Sequence, residues 1–436
     1  MKLISMPGRL LLPTSIIATA ACTPGPMPLA NLAPVPHAYV IEIDASRSTE
    51  AKVTLAFATA PSSIYPARDG DGGGVVDVRC EDGREALQKD GRWRVPTGCR
   101  RLEWTIAVDD LDATGIDADL PSAAYSRRHG FLVLPERDGL LRAGNDGGSA
   151  TVRLINMDGS IVAREYAFPS INQPPFYAVV GTQPSQNYES NGFALRIFGN
   201  ALPYMWMDEI HQHVLSTWSR WSRDLVSGPA PSKIDWAWVR PVEDAEPGYS
   251  ASAGAEAIIS QIVLRDGDPD AEAKARVVIA TSAAHEGFHL ITGAAGQAWP
   301  AWVNESLANH FAITAAREFL ASEDHRWLNA YYVDPEVRAP LLESQALYSA
   351  GDGGQAQVFY TWGARFWREI EKVLTNQPNG SGRLAALIRE TNNFADIDLN
   401  DADALADLLD QHSDDRASPI VQCFLRGLSC PTVIAE

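Results

Sequence analysis

The hydrophobic pattern of this chain changes period near residue 177, and that change decides the fold class. From Ala38 to about Phe176 apolar residues alternate with polar ones, as in Tyr39-Val40-Ile41-Glu42-Ile43 and Ala51-Lys52-Val53-Thr54-Leu55-Ala56-Phe57. The runs Arg101 to Val108 and Ala150 to Ile155 do the same, and Gly, Pro and Asp turns separate them. A period of two puts alternate side chains on one face of a sheet. Many short runs of this kind predict a β-sandwich over 38–176. Beyond Asp270 the period lengthens to that of helices, over 271–293, 303–321, 355–375, 381–391 and 401–411. In between, 177–181, 193–198, 234–239 and 258–264 predict strands, and 205–225 an amphipathic helix. The expectation is an α+β chain: a β-sandwich followed by a second unit, 177–436, that begins mixed and ends all-helical.

The N-terminus reads as an address rather than as structure. Lys2 and Arg9 precede a mostly apolar run from Leu10 to Ala21, and Thr19-Ala20-Ala21 stands before Cys22. This arrangement resembles the signal of bacterial lipoproteins, over 1–22, and implies export and a lipidated Cys22. Residues 23–37 carry five prolines between positions 23 and 36 and predict a stiff tether. The expected location is the bacterial cell envelope, with membrane contact only through the lipid. Setting Cys22 aside leaves two local cysteine pairs, Cys80 with Cys99 and Cys423 with Cys430, which an oxidising compartment would permit to bridge. The formal net charge is −19, with no basic stretch able to neutralise a phosphate backbone, so nucleic acid is a poor candidate partner.

The most informative stretch is His285-Glu286-Gly287-Phe288-His289. Two histidines four residues apart project from one helix face, so both imidazoles can reach one zinc ion. Glu286, beside the first histidine, can face a water at that metal as general base. The apolar run 276–284 leading into the motif suits a buried helix. A catalytic zinc commonly takes three protein ligands. Thr292 and Ala295 occupy the positions where a third histidine pattern would need glycine and histidine. Glu305, opening the next helix after Ala298-Trp299-Pro300, is the candidate third ligand, with His310 as competitor.

Trp302-Val303-Asn304-Glu305-Ser306-Leu307-Ala308 matches a Trp-x-Asn-Glu-Gly-x-Ala segment except at Ser306. With the histidine motif, it makes the chain resemble the gluzincin metallopeptidases, closest to the alanyl aminopeptidase and leukotriene A4 hydrolase group and to the glycyl aminopeptidases. That resemblance implies a thermolysin-like catalytic unit, Zn2+ held by His285, His289 and Glu305, and a peptide or protein substrate. Tyr360-Thr361-Trp362-Gly363-Ala364 is similar to the family's Tyr-x-Lys-Gly-Ala, which makes Tyr360 the expected oxyanion donor, with Tyr331, Tyr332 and Tyr348 as fallbacks. Asn309, one turn after Glu305, is placed to orient a ligand histidine. The family's Gly-x-Met-Glu-Asn segment, which holds the substrate amine, has no clear counterpart. Glu256, after Tyr249 to Ala255, is the candidate for that role. Only 15 residues separate His289 from Glu305, fewer than is usual in those aminopeptidases. Zinc hydrolysis of a non-peptide substrate, or an envelope protein retaining the fold without catalysis, are the alternatives.

Two lesser signals point to structure. Asp266 to Asp270 and Asp396 to Asn400 have calcium-like oxygen spacing, but turns and a helix cap explain them better. Trp218, Trp221, Trp236 and Trp238 read as packing.

Overall fold

A computed structural model of the chain describes residues 37–428 except 68–73, 119–120, 138, 146, 172, 174, 200–205, 227–231, 244, 246–247, 255, 265–267, 295–298, 331–337, 376–382 and 392–393. The segments expected as an export signal and, as far as residue 36, a tether lie outside the described residues, as do Cys22, Cys430, Tyr331 and Tyr332.

The N-terminal part is built of sheets. A six-stranded sheet runs in the order Ile161–Phe168, Gly148–Ile155, His37–Asp44, Glu50–Phe57, Arg101–Ala107, Val75–Cys80. The alternation in sequence becomes an alternation in burial. Tyr39, Ile41 and Ile43 are fully covered, while Val40 and Glu42 between them are not. Two four-stranded sheets face it, and their shared core includes Trp104, Leu132, Leu134 and Phe176. Cys80 and Cys99 form a disulfide, with Cα atoms 5.7 Å apart.

The strand Tyr177–Gly181 pairs antiparallel with Phe131–Pro135 in one of the N-terminal sheets. Its five residues are all buried, because its outer face packs on the sheet of the second unit.

That second sheet has five strands in the order Gln186–Ser190, Phe193–Phe198, Lys233–Trp238, Ala257–Val263, Gly248–Gly254. One face meets the N-terminal sheets through Val133, Val179, Phe198 and Ile259. The other carries α1 (Trp206–Asp224) and α2 (Ala271–Ala294), and α3 (Ala301–Phe319) packs on α2. Trp218, Trp221, Trp236 and Trp238 are core residues of this layer, as anticipated. Asp268 bonds the Asp270 amide and the Lys274 ammonium, and Asp401 caps the helix Ala402–Asp410, so both acidic stretches serve turns and caps. Helices Leu341–Ser349 and Ser418–Arg426 complete the C-terminal part. The segment expected as one helix over 355–375 is interrupted by a π-helical turn, Phe359–Gly363, before Ala364–Thr375 continues. The architecture is α+β, a β-rich N-terminal part followed by a mixed sheet and then helices.

Candidate metal centre

The helix α2 reaches the site because it is apolar nearly all round: Val277, Ile279, Ala280, Ala283 and Ala284 are buried, as a helix inside a core requires. Gly287, inside the motif, is there for close approach. A Cβ on it would lie 1.8 Å from Nε1 of Trp218 on α1. A glycine within a helix costs roughly 0.5–1 kcal/mol relative to alanine, so its presence signals a constraint stronger than propensity. Phe288 packs on Trp221 and Phe311. With α2 fixed on that side, His285 and His289 project from the other.

After α2 the chain turns at Pro300, whose carbonyl accepts from the Val303 and Asn304 amides. Helix α3 then runs back along α2. Trp302 is fully buried against Trp367, the two rings nearly parallel with centroids 5.9 Å apart. That stack presents the first turns of α3 toward the histidines. Ser306, where the resembling families carry glycine, contacts Gly363. A Cβ on Gly363 would lie 2.6 Å from that of Ser306, and the Ser306 hydroxyl accepts from Trp367 Nε1 at 2.7 Å. The side chain gained at one position is accommodated by a glycine at the other.

The result is a convergence of three ligand-type atoms. His285 Nε2 and His289 Nε2 are 2.9 Å apart, and Glu305 Oε2 lies 3.2 Å from the first and 3.3 Å from the second. Zinc bonds of 2.0–2.2 Å at tetrahedral angles imply ligand atoms about 3.4 Å apart, so the triangle is close to the size a zinc ion needs. His285 is fully buried and Glu305 nearly so, while His289 keeps some exposure, leaving one open side. The electrostatics suit a cation. Burial would raise the Glu305 carboxyl, but the two imidazoles outweigh it and hold the group down at about 2. Burial lowers His285; for His289 burial also lowers, yet the Glu305 carboxylate wins and the net direction is up. Nitrogen, nitrogen and oxygen donors, ionised where a metal needs an anion, fit zinc.

The neighbouring groups are close by. Glu286 is buried and near enough to His289 to favour that imidazole's charged form. Asn309 spans two parts of the site: its Oδ1 is 3.2 Å from His285 Nδ1, and its Nδ2 donates to the Tyr360 carbonyl at 2.5 Å. Tyr360 sits in the π-helical turn, its ring 5.7 Å from that of His285 and steeply inclined to it. Single π turns inside helices are frequent at functional sites. Tyr348 packs against Phe359 instead. His310 is turned away from the triangle and bonds Glu371 at 2.9 Å. Glu256 lies in the turn between the last two strands of the second sheet, paired with Lys233 at 3.3 Å, and is not among the groups brought together around the histidines. The Asn309–Tyr360 bridge has no sequence signature. The Gly363–Ser306 contact has a faint one, a glycine inside a helical run.

The fold is the one seen in M1 zinc metallopeptidases, whose solved structures the chain resembles over most of its length. An M1 zinc metallopeptidase mutant from Deinococcus radiodurans, bound to a Tyr-Ser-Ala substrate, aligns with TM-score 0.52 at 14% identity, covering 91% of this chain and 95% of that one. An aminopeptidase N family protein from Idiomarina loihiensis gives TM-score 0.54 at 11% identity, covering 81% and 69%. Legionella pneumophila aminopeptidase A, in complex with aspartic acid, gives 0.51 at 12%, covering 89% of this chain but 49% of that longer protein. No family model and no curated protein sequence matches the chain.

Proposed function

We propose that the chain is a zinc metallopeptidase of the bacterial cell envelope, held there by a lipidated Cys22. The observation that carries the enzymatic part is the triangle of His285, His289 and Glu305 with Glu286 beside it. A purely structural zinc has no use for a buried carboxylate next to its ligands. The fold shared with a metallopeptidase bound to Tyr-Ser-Ala supports a peptide as substrate.

His285, His289 and Glu305 would hold the ion, which when bound supplies Lewis acidity and makes water acidic enough to be deprotonated near neutral pH. Glu286 takes a proton from the attacking water as the oxygen–carbon bond forms. It then delivers that proton to the amide nitrogen as the carbon–nitrogen bond breaks, so the carboxylate is regenerated each cycle. Tyr360 donates its hydroxyl proton in a hydrogen bond to the carbonyl oxygen, an interaction that strengthens as charge develops there. Asn309 holds His285 in orientation and fixes the turn carrying Tyr360, so one amide sets the relation between ligand and donor.

The test is Glu286→Gln assayed with a peptide library alongside metal analysis. The expected result is one zinc retained per chain and turnover lowered by roughly 10²–10⁴-fold. Undiminished peptide cleavage would remove Glu286 from the reaction. A wild-type protein that keeps zinc but cleaves no peptide in the library would turn the reading toward another hydrolysis.

A further inference from the structure

A cavity of about 360 Å³ lies between α3 and the helix Ala364–Thr375. Its apolar floor is Ile313 and Ala364, and Arg317, Arg365 and Arg368 line it with His310. Three guanidinium groups around one cavity run against the grain of a chain with 19 more acidic than basic side chains. The two acids in the lining are already committed. Glu371 bonds His310 at 2.9 Å; burial would raise its carboxyl, but that bond and the His310 charge bring it down, and Glu318 pairs with Arg220 at 3.0 Å.

Arg317 and Arg368 are less well matched. Arg317 donates to the neutral Asn329 carbonyl at 2.7 Å. Arg368 reaches Glu369 only at 3.4 Å, and that carboxylate takes two bonds of 2.9 Å from Lys372. The Arg365 guanidinium lies over the Trp362 ring, 5.6 Å from its centroid. Each guanidinium carries five N–H donors in a planar fork suited to bidentate contact with carboxylate or phosphate. A cationic rim over an apolar floor selects for a ligand with both characters.

We propose that this cavity binds a small organic anion, its carboxylate or phosphate group on Arg317 and Arg368 and its apolar body on Ile313 and Ala364. The site is separate from the metal triangle: none of His285, His289 and Glu305 lines it. It does touch the catalytic layer, because His310 and Thr361 in its wall directly follow Asn309 and Tyr360 in the chain. The inference does not depend on the peptidase reading, since binding is measured without turnover.

Titration calorimetry on the zinc-loaded chain with phenyl phosphate, 4-phenylbutyrate and inorganic phosphate tests it. The first two probes distinguish the two head groups, and the third removes the apolar body. The expected result is binding of at least one organic probe with Kd below about 1 mM. Arg317→Gln and Arg368→Gln should each weaken it about tenfold, with Arg317→Lys recovering part of the loss. Unchanged zinc content and melting temperature in these variants separate binding from folding, and Arg317 is exposed, so its substitution leaves the core alone. No binding of either organic probe overturns the proposal, as does binding that ignores both arginine variants, which would place the anion elsewhere, at the zinc included. Inorganic phosphate binding as tightly as the organic probes overturns the role of the apolar floor.

Discussion

Asp235 and Glu305 are both buried carboxylates, and their surroundings differ in kind. Asp235, on the second sheet, is met by guanidinium groups from two elements. Arg196 reaches it twice, at 2.7 and 2.6 Å, and Arg164 reaches across from the six-stranded sheet. Burial pushes its carboxyl up, toward about 7, but each of its oxygens has a cationic donor. Glu305 meets two imidazole nitrogens that also face each other at 2.9 Å. There, three groups that can each offer a lone pair converge. The first cluster is complete in its own side chains and ties the two halves of the molecule together. The second could hold a metal ion. A buried ionic group is therefore informative through its partners: complementary side chains mark a structural tie, and a convergence of ligand-type atoms marks a candidate metal site.

The largest effect that would sharpen this comparison comes from breaking the second cluster. His285→Ala is expected to abolish stoichiometric zinc retention, since two donors remain of the three that a catalytic site needs. Metal analysis after dialysis reads this directly. A variant that still holds one zinc per chain would mean that the triangle is not the metal site. The complete cluster should respond in stability instead. Asp235→Asn leaves Arg164 and Arg196 facing each other without a counter-charge. Removing one member of a buried pair costs about 3–5 kcal/mol, which partial exposure of the two guanidinium groups lowers to about 2–4 kcal/mol here. Denaturant unfolding measures it, and zinc content should not change. Loss of zinc together with stability would show that the two clusters are energetically coupled.

The same contrast explains what the sequence discloses. Helices α1, α2 and α3 fall within two residues of their expected bounds, because a buried or amphipathic helix writes its period over many residues. The strand Gly248–Gly254 is not legible: GYSASAG has small residues and no β-branched run, and it is a strand because Ala257–Val263 offers a ladder to pair with. Helix Leu341–Ser349 follows a segment rich in turn signals and is too short for a clear period. At the site, His285, His289 and Glu305 are singled out by type and spacing, and the structure gathers those three atoms. Glu256 shows the limit. A carboxylate at about the right sequence distance is drawn instead to Lys233, because only the fold decides which neighbour lies within reach. The arginine tie to Asp235 leaves no trace in sequence at all, since Arg164, Arg196 and Asp235 come from three separated strands.

A smaller effect is expected where the second cluster is held rather than made. Asn309→Ala removes the acceptor at His285 Nδ1 and the donor at the Tyr360 carbonyl together. Loss of such a supporting residue typically lowers metal affinity or activity 10–100-fold, and competition with a chelator of known affinity measures the metal part. Asn309→Asp restores the acceptor but not the donor. Recovery of zinc affinity without recovery of turnover would assign the Tyr360 contact its own share; equal recovery of both would deny it.

The smallest change tests whether the support around α3 belongs to the site or to the core. Ser306→Gly installs the residue that the resembling families carry. It removes the hydroxyl that accepts from Trp367 Nε1, leaving a buried indole N–H without that partner. It also adds a glycine to a helix interior, next to a glycine that already makes room for the serine. The two effects together are expected to cost about 1–2 kcal/mol of stability. Zinc affinity should stay unchanged, because Ser306 touches Gly363 and Trp367 rather than the triangle. A loss of zinc with a small loss of stability would mean that the Trp302–Trp367 stack positions Glu305 as tightly as any direct contact does, and the line drawn between the structural and the metal-binding cluster would have to be moved to include it.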